Sequence, residues 1–300
     1  MTLIGVTIVE VGPRDGLQNE KAAVSTADKI EFINRLSAAG LPVIEVSAFV
    51  SPKWVPQMAD AAAVFAGIVR RPGTRYSALV PNLAGLDRAM QAGVTDIAVF
   101  AAASEAFSRK NINQGIEESL AGYQVVTERA LTAGLRVRGY LSTAFGCPYE
   151  GAVPEQKVIE VTERLLAMGA FEVSVSDTIG VGHPGQVRLV LDALVAQIPA
   201  SRLALHFHDT RGTALANVLA ALPYGITTFD ASAGGLGGCP YAPGAAGNLA
   251  TEDLIYMLDG LGMTTDVSLE GVIEASAFIA ERLDHRLTSK YFQAVRRAGF

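Results

Sequence analysis

The chain has only four histidines, and two of them, His206 and His208, stand two residues apart in Leu205-His206-Phe207-His208-Asp209. The apolar run 203–207 follows a Pro-Ala-Ser-Arg turn and reads as a strand. Side chains at i and i+2 of a strand share a face, so the two imidazoles project side by side at the strand's C-terminal end. Paired imidazoles suit a metal ion. Two histidines hydrogen-bonded within a polar layer are the plainer alternative.

Other reactive residues fall just after similar apolar runs. Arg14 and Asp15 follow the run 6–11. Asp15 is a hard oxygen ligand, and Arg14 is a permanent cation suited to an oxyanion or carboxylate; a local ion pair in a surface turn is the alternative. Glu45 lies inside the apolar run 43–47. A buried carboxylate needs a partner, which Arg14 or a metal-bound water supplies. Asp177 follows the run 171–175 and is a candidate base or orienting group. The glycine-rich segment 234–248 carries Cys239, a thiol suited to proton transfer from a closing loop, and Asn248, a neutral oxygen ligand. Gly146-Cys147-Pro148-Tyr149 mirrors Gly238-Cys239-Pro240-Tyr241, and the loop's glycine content favours Cys239 as the working thiol. Gly180-Val181-Gly182-His183-Pro184-Gly185 matches G-x-G-x-x-G, but the next strand ends in Leu205-His206 instead of an acidic residue. It therefore reads as a tight loop beside the site, with Pro184 opening a helix, and not as a dinucleotide site.

Positioning these residues takes a repeating scaffold. Strand patterns over 6–11, 43–47, 75–79, 96–100, 136–141, 171–175, 203–207 and 227–231 alternate with helical patterns over 26–39, 83–92, 116–133, 154–168, 184–197, 212–221 and 252–261. Glycine follows several helices at Gly40, Gly93, Gly134 and Gly169, where it can take a left-handed cap. Eight βα units without a linker predict one domain over 1–300, a (β/α)8 TIM barrel with an additional C-terminal helical segment over about 268–300. A doubly wound open sheet is the runner-up. In a barrel, active groups cluster at the C-terminal ends of the strands. Asp15, His206, His208 and Asn248 then form a two-oxygen, two-nitrogen set on one rim, which favours Mg2+ or Mn2+ over a closed zinc site.

The bulk properties exclude several classes. Half the residues are hydrophobic and 18% are charged, ample for a large core. The net charge of −6 has no basic concentration within it, so nucleic acid is not an expected partner. Two cysteines make no disulfide framework and fit a reducing cytosol. No apolar run approaches the ~20 residues of a membrane span, and neither end shows a targeting pattern. A cytoplasmic enzyme is the expectation.

Six stretches, 11–20, 47–57, 110–113, 146–151, 174–182 and especially 235–253, resemble the 3-hydroxy-3-methylglutaryl-CoA (HMG-CoA) lyase family over nearly the whole chain. Arg14-Asp15-Gly16 and His206-Phe207-His208-Asp209 are marks of the wider group of metal-dependent aldolase and lyase barrels. The loop Gly235-Leu236-Gly237-Gly238-Cys239-Pro240-Tyr241-Ala242 is more specific, because the related condensing synthases lack it. The resemblance implies a carbon–carbon lyase that splits (S)-HMG-CoA into acetoacetate and acetyl-CoA, as in leucine catabolism. It implies Asp15, His206, His208 and Asn248 as metal ligands and Arg14 as the stabiliser of the acetyl-CoA enolate. Cys239 would transfer a proton from the loop, with Glu45 and Asp177 as supporting carboxylates. His206 would have a second role beside the substrate hydroxyl, and Asn111 and Thr178 would lie near the substrate's polar end. An acyl-CoA partner and a homo-oligomer, dimer or higher, are expected. Phe207, Thr143 and Ala233-Gly234 depart from the family pattern and bear on substrate preference. A lyase for a bulkier 3-hydroxyacyl-CoA, a condensing acyltransferase and a catalytically silent barrel are the alternatives. The intact site residues argue against the last.

Overall fold

The computed structural model describes residues 5–238 and 247–297. Eight parallel strands close into a barrel in chain order: β1 Thr7–Glu10, β2 Val43–Ala48, β3 Arg75–Leu79, β4 Asp96–Ala102, β5 Arg136–Ser142, β6 Val173–Asp177, β7 Leu203–Phe207 and β8 Thr228–Ala231. The predicted barrel is the observed one. The open sheet is excluded, because β1 pairs with β8, Thr7 opposite Thr228 and Glu10 opposite Ala231. The helices that cover it are α1 Thr26–Ala38, α2 Ala61–Gly67, α3 Leu83–Gln91, α4 Glu105–Ile112, α5 Ile116–Thr132, α6 Glu155–Ala167, α7 Pro184–Val195, α8 Ala214–Ala221 and α9 Thr251–Gly260. Two more, α10 Leu269–Ala280 and α11 Lys290–Arg297, follow the eighth unit.

Helix ends obey the local chemistry. Ser25, Asn82, Ser104 and Ser268 each accept the amide of the third residue on with the side chain. Gly93 and Gly134 follow their helices at φ of +71° and +81°, the left-handed cap that glycine adopts without strain. Three helices escape the periodic pattern. The segment α2 is short and alanine-rich, α4 is largely polar and α11 lies in the tail, so none presents a long amphipathic stripe. The sixth strand also differs from its predicted span of 171–175. It begins at Val173 and ends on Asp177, which places Ser176 and Asp177 on the strand and not in the loop after it. Phe171 instead lies under the Arg136 guanidinium, 4.2 Å from its ring centroid.

The C-terminal helices are tied to α1, α9 and the segment after β8. Ser268 N bonds to Ala39 O at 2.8 Å, and α10 packs on α1. Asp253 of α9 accepts Ser289 Oγ and the amides of Lys290 and Tyr291, capping α11. Glu252 is fully buried beside Asp253, accepting the Gly234 amide and the Ser276 hydroxyl. Thr288 and Ser289 both donate backbone amides to Gly234 O. The stem of the glycine-rich loop is thus held between α9, α10 and the tail.

Burial pushes the Glu252 carboxyl up to about 8 and that of Glu10, equally buried at the end of β1, up to about 7. Both folded values exceed the unfolded one. Their contribution to stability is therefore full below the unfolded value and is lost as pH rises through the folded value. Thermal denaturation is expected to show stability falling between about pH 5 and about pH 8, and Glu252→Gln is expected to flatten that slope. An unchanged slope in the variant would show that Glu252 is ionised in the fold.

Candidate active site

The site begins with three strand ends that turn tightly. After β1 the chain makes a wide helical turn over Gly12–Gly16 in which the amides of Arg14, Asp15 and Gly16 converge on Val11 O at 3.2, 2.7 and 3.2 Å. Turns of this kind recur at functional sites because they push side chains off the regular helical path. The register of β2 against β3 slips between Glu45 and Ser47, so Glu45 faces the barrel interior next to that turn. Beyond β7, an antiparallel bridge joins His208 to Asn248, with Leu249 N bonded to Phe207 O and Asp209 N to Gly247 O, both at 3.0 Å.

These turns bring the expected ligands together. One donor atom each from Asp15, His206 and His208 lies within 4.8 Å of the others. Asp15 Oδ2 is 4.0 Å from His206 Nε2 and 3.9 Å from His208 Nε2, and the two Nε2 atoms are 3.1 Å apart. Asn248 joins through its amide nitrogen, which donates to Asp15 Oδ2 and to Leu236 O, both at 3.0 Å. Its Oδ1 is then a buried acceptor with no hydrogen-bond donor among the described residues. Such an orphan is costly unless a ligand takes the lone pair.

Arg14 stands beside this set. Its Nε donates to Glu45 Oε2 and its Nη1 to Asp15 Oδ1, both at 2.6 Å. Burial pushes the Asp15 carboxyl up, but Arg14, His206, His208 and Asn248 together outweigh burial and hold it well below the usual carboxylate range. Burial and the neighbouring His206 bring His208 down to about 4, which leaves it neutral and able to donate a lone pair. For Glu45 burial wins, and its carboxyl is raised despite Arg14.

The remaining expected residues lie further out. Asp177 is buried, and its two oxygens accept the amides of Val181 and Gly182 at 3.0 and 2.9 Å. The G-x-G-x-x-G loop therefore wraps a carboxylate, and α7 opens at Pro184 as expected. Thr178 Oγ1 accepts the Thr143 amide at 2.8 Å. Asn111 is exposed near the end of α4, on the rim and not within the ligand set. Cys239 lies outside the described residues. Cys147 is buried and bonded to the Ser104 hydroxyl at 2.9 Å.

Sequence reasoning missed the layer beneath the ligands. Asp230 of β8 meets His206 Nδ1 at 3.2 Å and accepts Arg138 Nη2 and Ser174 Oγ at 2.8 Å each. Arg138 also donates to Glu172 at 2.8 Å. Glu10 accepts the amides of Gly12 and Ala233 and the Thr251 hydroxyl, tying the Arg14 turn to the loop stem. The signal was the one that picked out Glu45: a charged residue inside an apolar strand.

The buried group thus contains Asp15, Glu45, Asp230 and Glu172 against Arg14 and Arg138. Four carboxylates facing two guanidiniums leave two negative charges when all are ionised. A divalent cation beside Asp15, the two imidazoles and Asn248 Oδ1 fits that remainder. His208→Ala is expected to weaken Mn2+ binding, followed by isothermal titration, by more than about tenfold. Unchanged affinity would place the ion elsewhere.

A family model described as HMGL-like matches residues 5–279. The rat protein "3-hydroxy-3-methylglutaryl-CoA lyase, cytoplasmic" is 57% identical over 289 residues, 96% of this chain and 84% of its own length. The chain belongs to the HMG-CoA lyase family. An HMG-CoA lyase structure from Bacillus subtilis, 52% identical, superimposes with a TM-score of 0.97 and covers 99% of this chain and 100% of its own. Another HMG-CoA lyase, from Acinetobacter baumannii, was solved with coenzyme A and 3-methylmalate. It is 39% identical, with a TM-score of 0.93 over 99% of this chain and 97% of that one.

Proposed function

We propose that this chain is an HMG-CoA lyase: a divalent-metal-dependent enzyme that cleaves (S)-HMG-CoA to acetoacetate and acetyl-CoA. The observation that carries the reading is the convergence of Asp15, His206, His208 and Asn248 beside the Arg14–Glu45 pair. Family membership and the coenzyme A bound to the Acinetobacter relative support an acyl-CoA substrate. Mg2+ or Mn2+ suits the mixed oxygen and nitrogen donors. We place the whole chain in one domain, in a homo-oligomer and in the cytoplasm. The rat relative's name supports that compartment, although a bovine relative is named mitochondrial.

Asp15, His206, His208 and Asn248 would hold the ion, which when bound lowers the pKa of a hydroxyl or water next to it. The substrate's tertiary hydroxyl gives its proton to one of the supporting carboxylates, Glu45 or Asp177, with His206 beside it. The bond between the carbinol carbon and the thioester's α-carbon then breaks, and its electron pair passes into the thioester enolate. Arg14, locked by Glu45 and Asp15, presents a fixed guanidinium to that developing charge without reorganising. Cys239 delivers a proton to the enolate carbon, giving acetyl-CoA. Asp177 keeps the loop 180–185 against the site, and Thr178 and Asn111 lie toward the substrate's polar end.

Two assays test this. Turnover on HMG-CoA is expected to exceed turnover on a longer 3-hydroxyacyl-CoA, with acetoacetate as product. A preference for the longer chain would overturn the substrate assignment. Cys239→Ser is expected to lose about a hundredfold or more in turnover with Mn2+ affinity kept, while Cys147→Ser changes little. Equal losses would remove Cys239 from proton transfer.

A further inference from the structure

We infer that Asp230, seated by Arg138 and Ser174, is a positioning residue that sets the tautomer of His206. His206 and Asp230 are direct register partners across β7 and β8. Both side chains are buried, and His206 Nδ1 stands 3.2 Å from Asp230 Oδ2. The carboxylate's other contacts allow one reading of that pair. Its Oδ1 takes Arg138 Nη2 at 2.8 Å, and its Oδ2 takes the Ser174 hydroxyl at 2.8 Å. A carboxylate paired with a guanidinium at 2.8 Å and taking a hydroxyl on its other oxygen only accepts, so the proton between Asp230 and His206 sits on Nδ1. That leaves the lone pair on Nε2, the atom 3.1 Å from His208 Nε2 and 4.0 Å from Asp15 Oδ2.

The surroundings hold Asp230 in place. Arg138 is itself fixed by Glu172 at 2.8 Å and lies over the Tyr140 ring, 5.0 Å from its centroid. A carboxylate behind a ligating histidine fixes the ring and raises its basicity. The consequence for the metal rests on the metal-dependent reading above; the tautomer does not.

Asp230→Asn tests the idea with little change of shape. Arg138 has only donors to offer, so the amide oxygen turns to it and the amide NH2 faces His206. Nδ1 must then accept, and the proton moves to Nε2. Two readouts follow. The first is long-range 15N–1H NMR of the metal-free protein at about pH 8. Comparison with His206→Gln assigns the His206 signals among the four histidines. The wild type is expected to show Nδ1 protonated, and D230N is expected to show Nε2 protonated. The second is Mn2+ titration, in which D230N is expected to bind about 10- to 100-fold more weakly. A wild-type spectrum with Nδ1 unprotonated overturns the proposal, and so does D230N with the wild-type spectrum and affinity. The wild-type spectrum decides the tautomer even if D230N does not fold. Wild-type protein that binds no Mn2+ while showing the Nδ1 proton would refute the metal reading and leave the tautomer assignment standing.

Discussion

Charge buried in the barrel's interior governs how this molecule is built. Burial takes these groups out of bulk solvent, so each carboxylate needs a cation or several donors within hydrogen-bond reach. The solution is a ladder. Glu172 holds Arg138, Arg138 holds Asp230, and Asp230 meets His206. At the upper end Glu45 and Asp15 hold Arg14, which lies 5.6 Å from the Tyr140 ring centroid that Arg138 also faces. Removing one rung strands its neighbour, and breaking a buried pair costs roughly 3–5 kcal/mol. Two carboxylates share each guanidinium, and Asp15 is the one that also faces His206 and His208. On the proposed function, a divalent cation held there would offset the remaining negative charge.

The backbone does the placing, and it does so independently of that network. Three amides sharing the Val11 carbonyl fix Arg14 and Asp15. The His208–Asn248 bridge brings a residue from the far side of the glycine-rich loop against β7. Glu10 then joins the first turn to the loop stem, and Glu252 and the tail residues Thr288 and Ser289 hold that stem from behind. Side chains carried on strand ends are held more precisely than side chains on loops.

Much of this was legible in the residues. The β/α alternation, the rim position of Asp15 and the shared face of His206 and His208 follow from periodicity and from the barrel rule. Asn248 was reached by loop chemistry, since a carboxamide in a glycine-rich loop after the last strand lands on the same rim. The short helices α2 and α4 and the true span of β6 were not legible, because local propensity is weak there and tertiary contacts decide. Asp230, Arg138 and Glu10 were readable in type but not in partner. A charged residue in an apolar strand announces a partner, yet the partner lies one or more strands away, and register across a closed barrel is a three-dimensional fact. Asp177 reads as a candidate base or orienting group, and in the fold its oxygens take the amides of Val181 and Gly182.

On the proposed function, one divalent ion completes the buried ligand set, and turnover depends on it. Acetoacetate formation from HMG-CoA, measured after exhaustive chelation and then during stepwise addition of Mn2+, tests it most directly. Negligible turnover is expected in the metal-free protein, with recovery that saturates at one ion per chain. Full turnover without metal would contradict it.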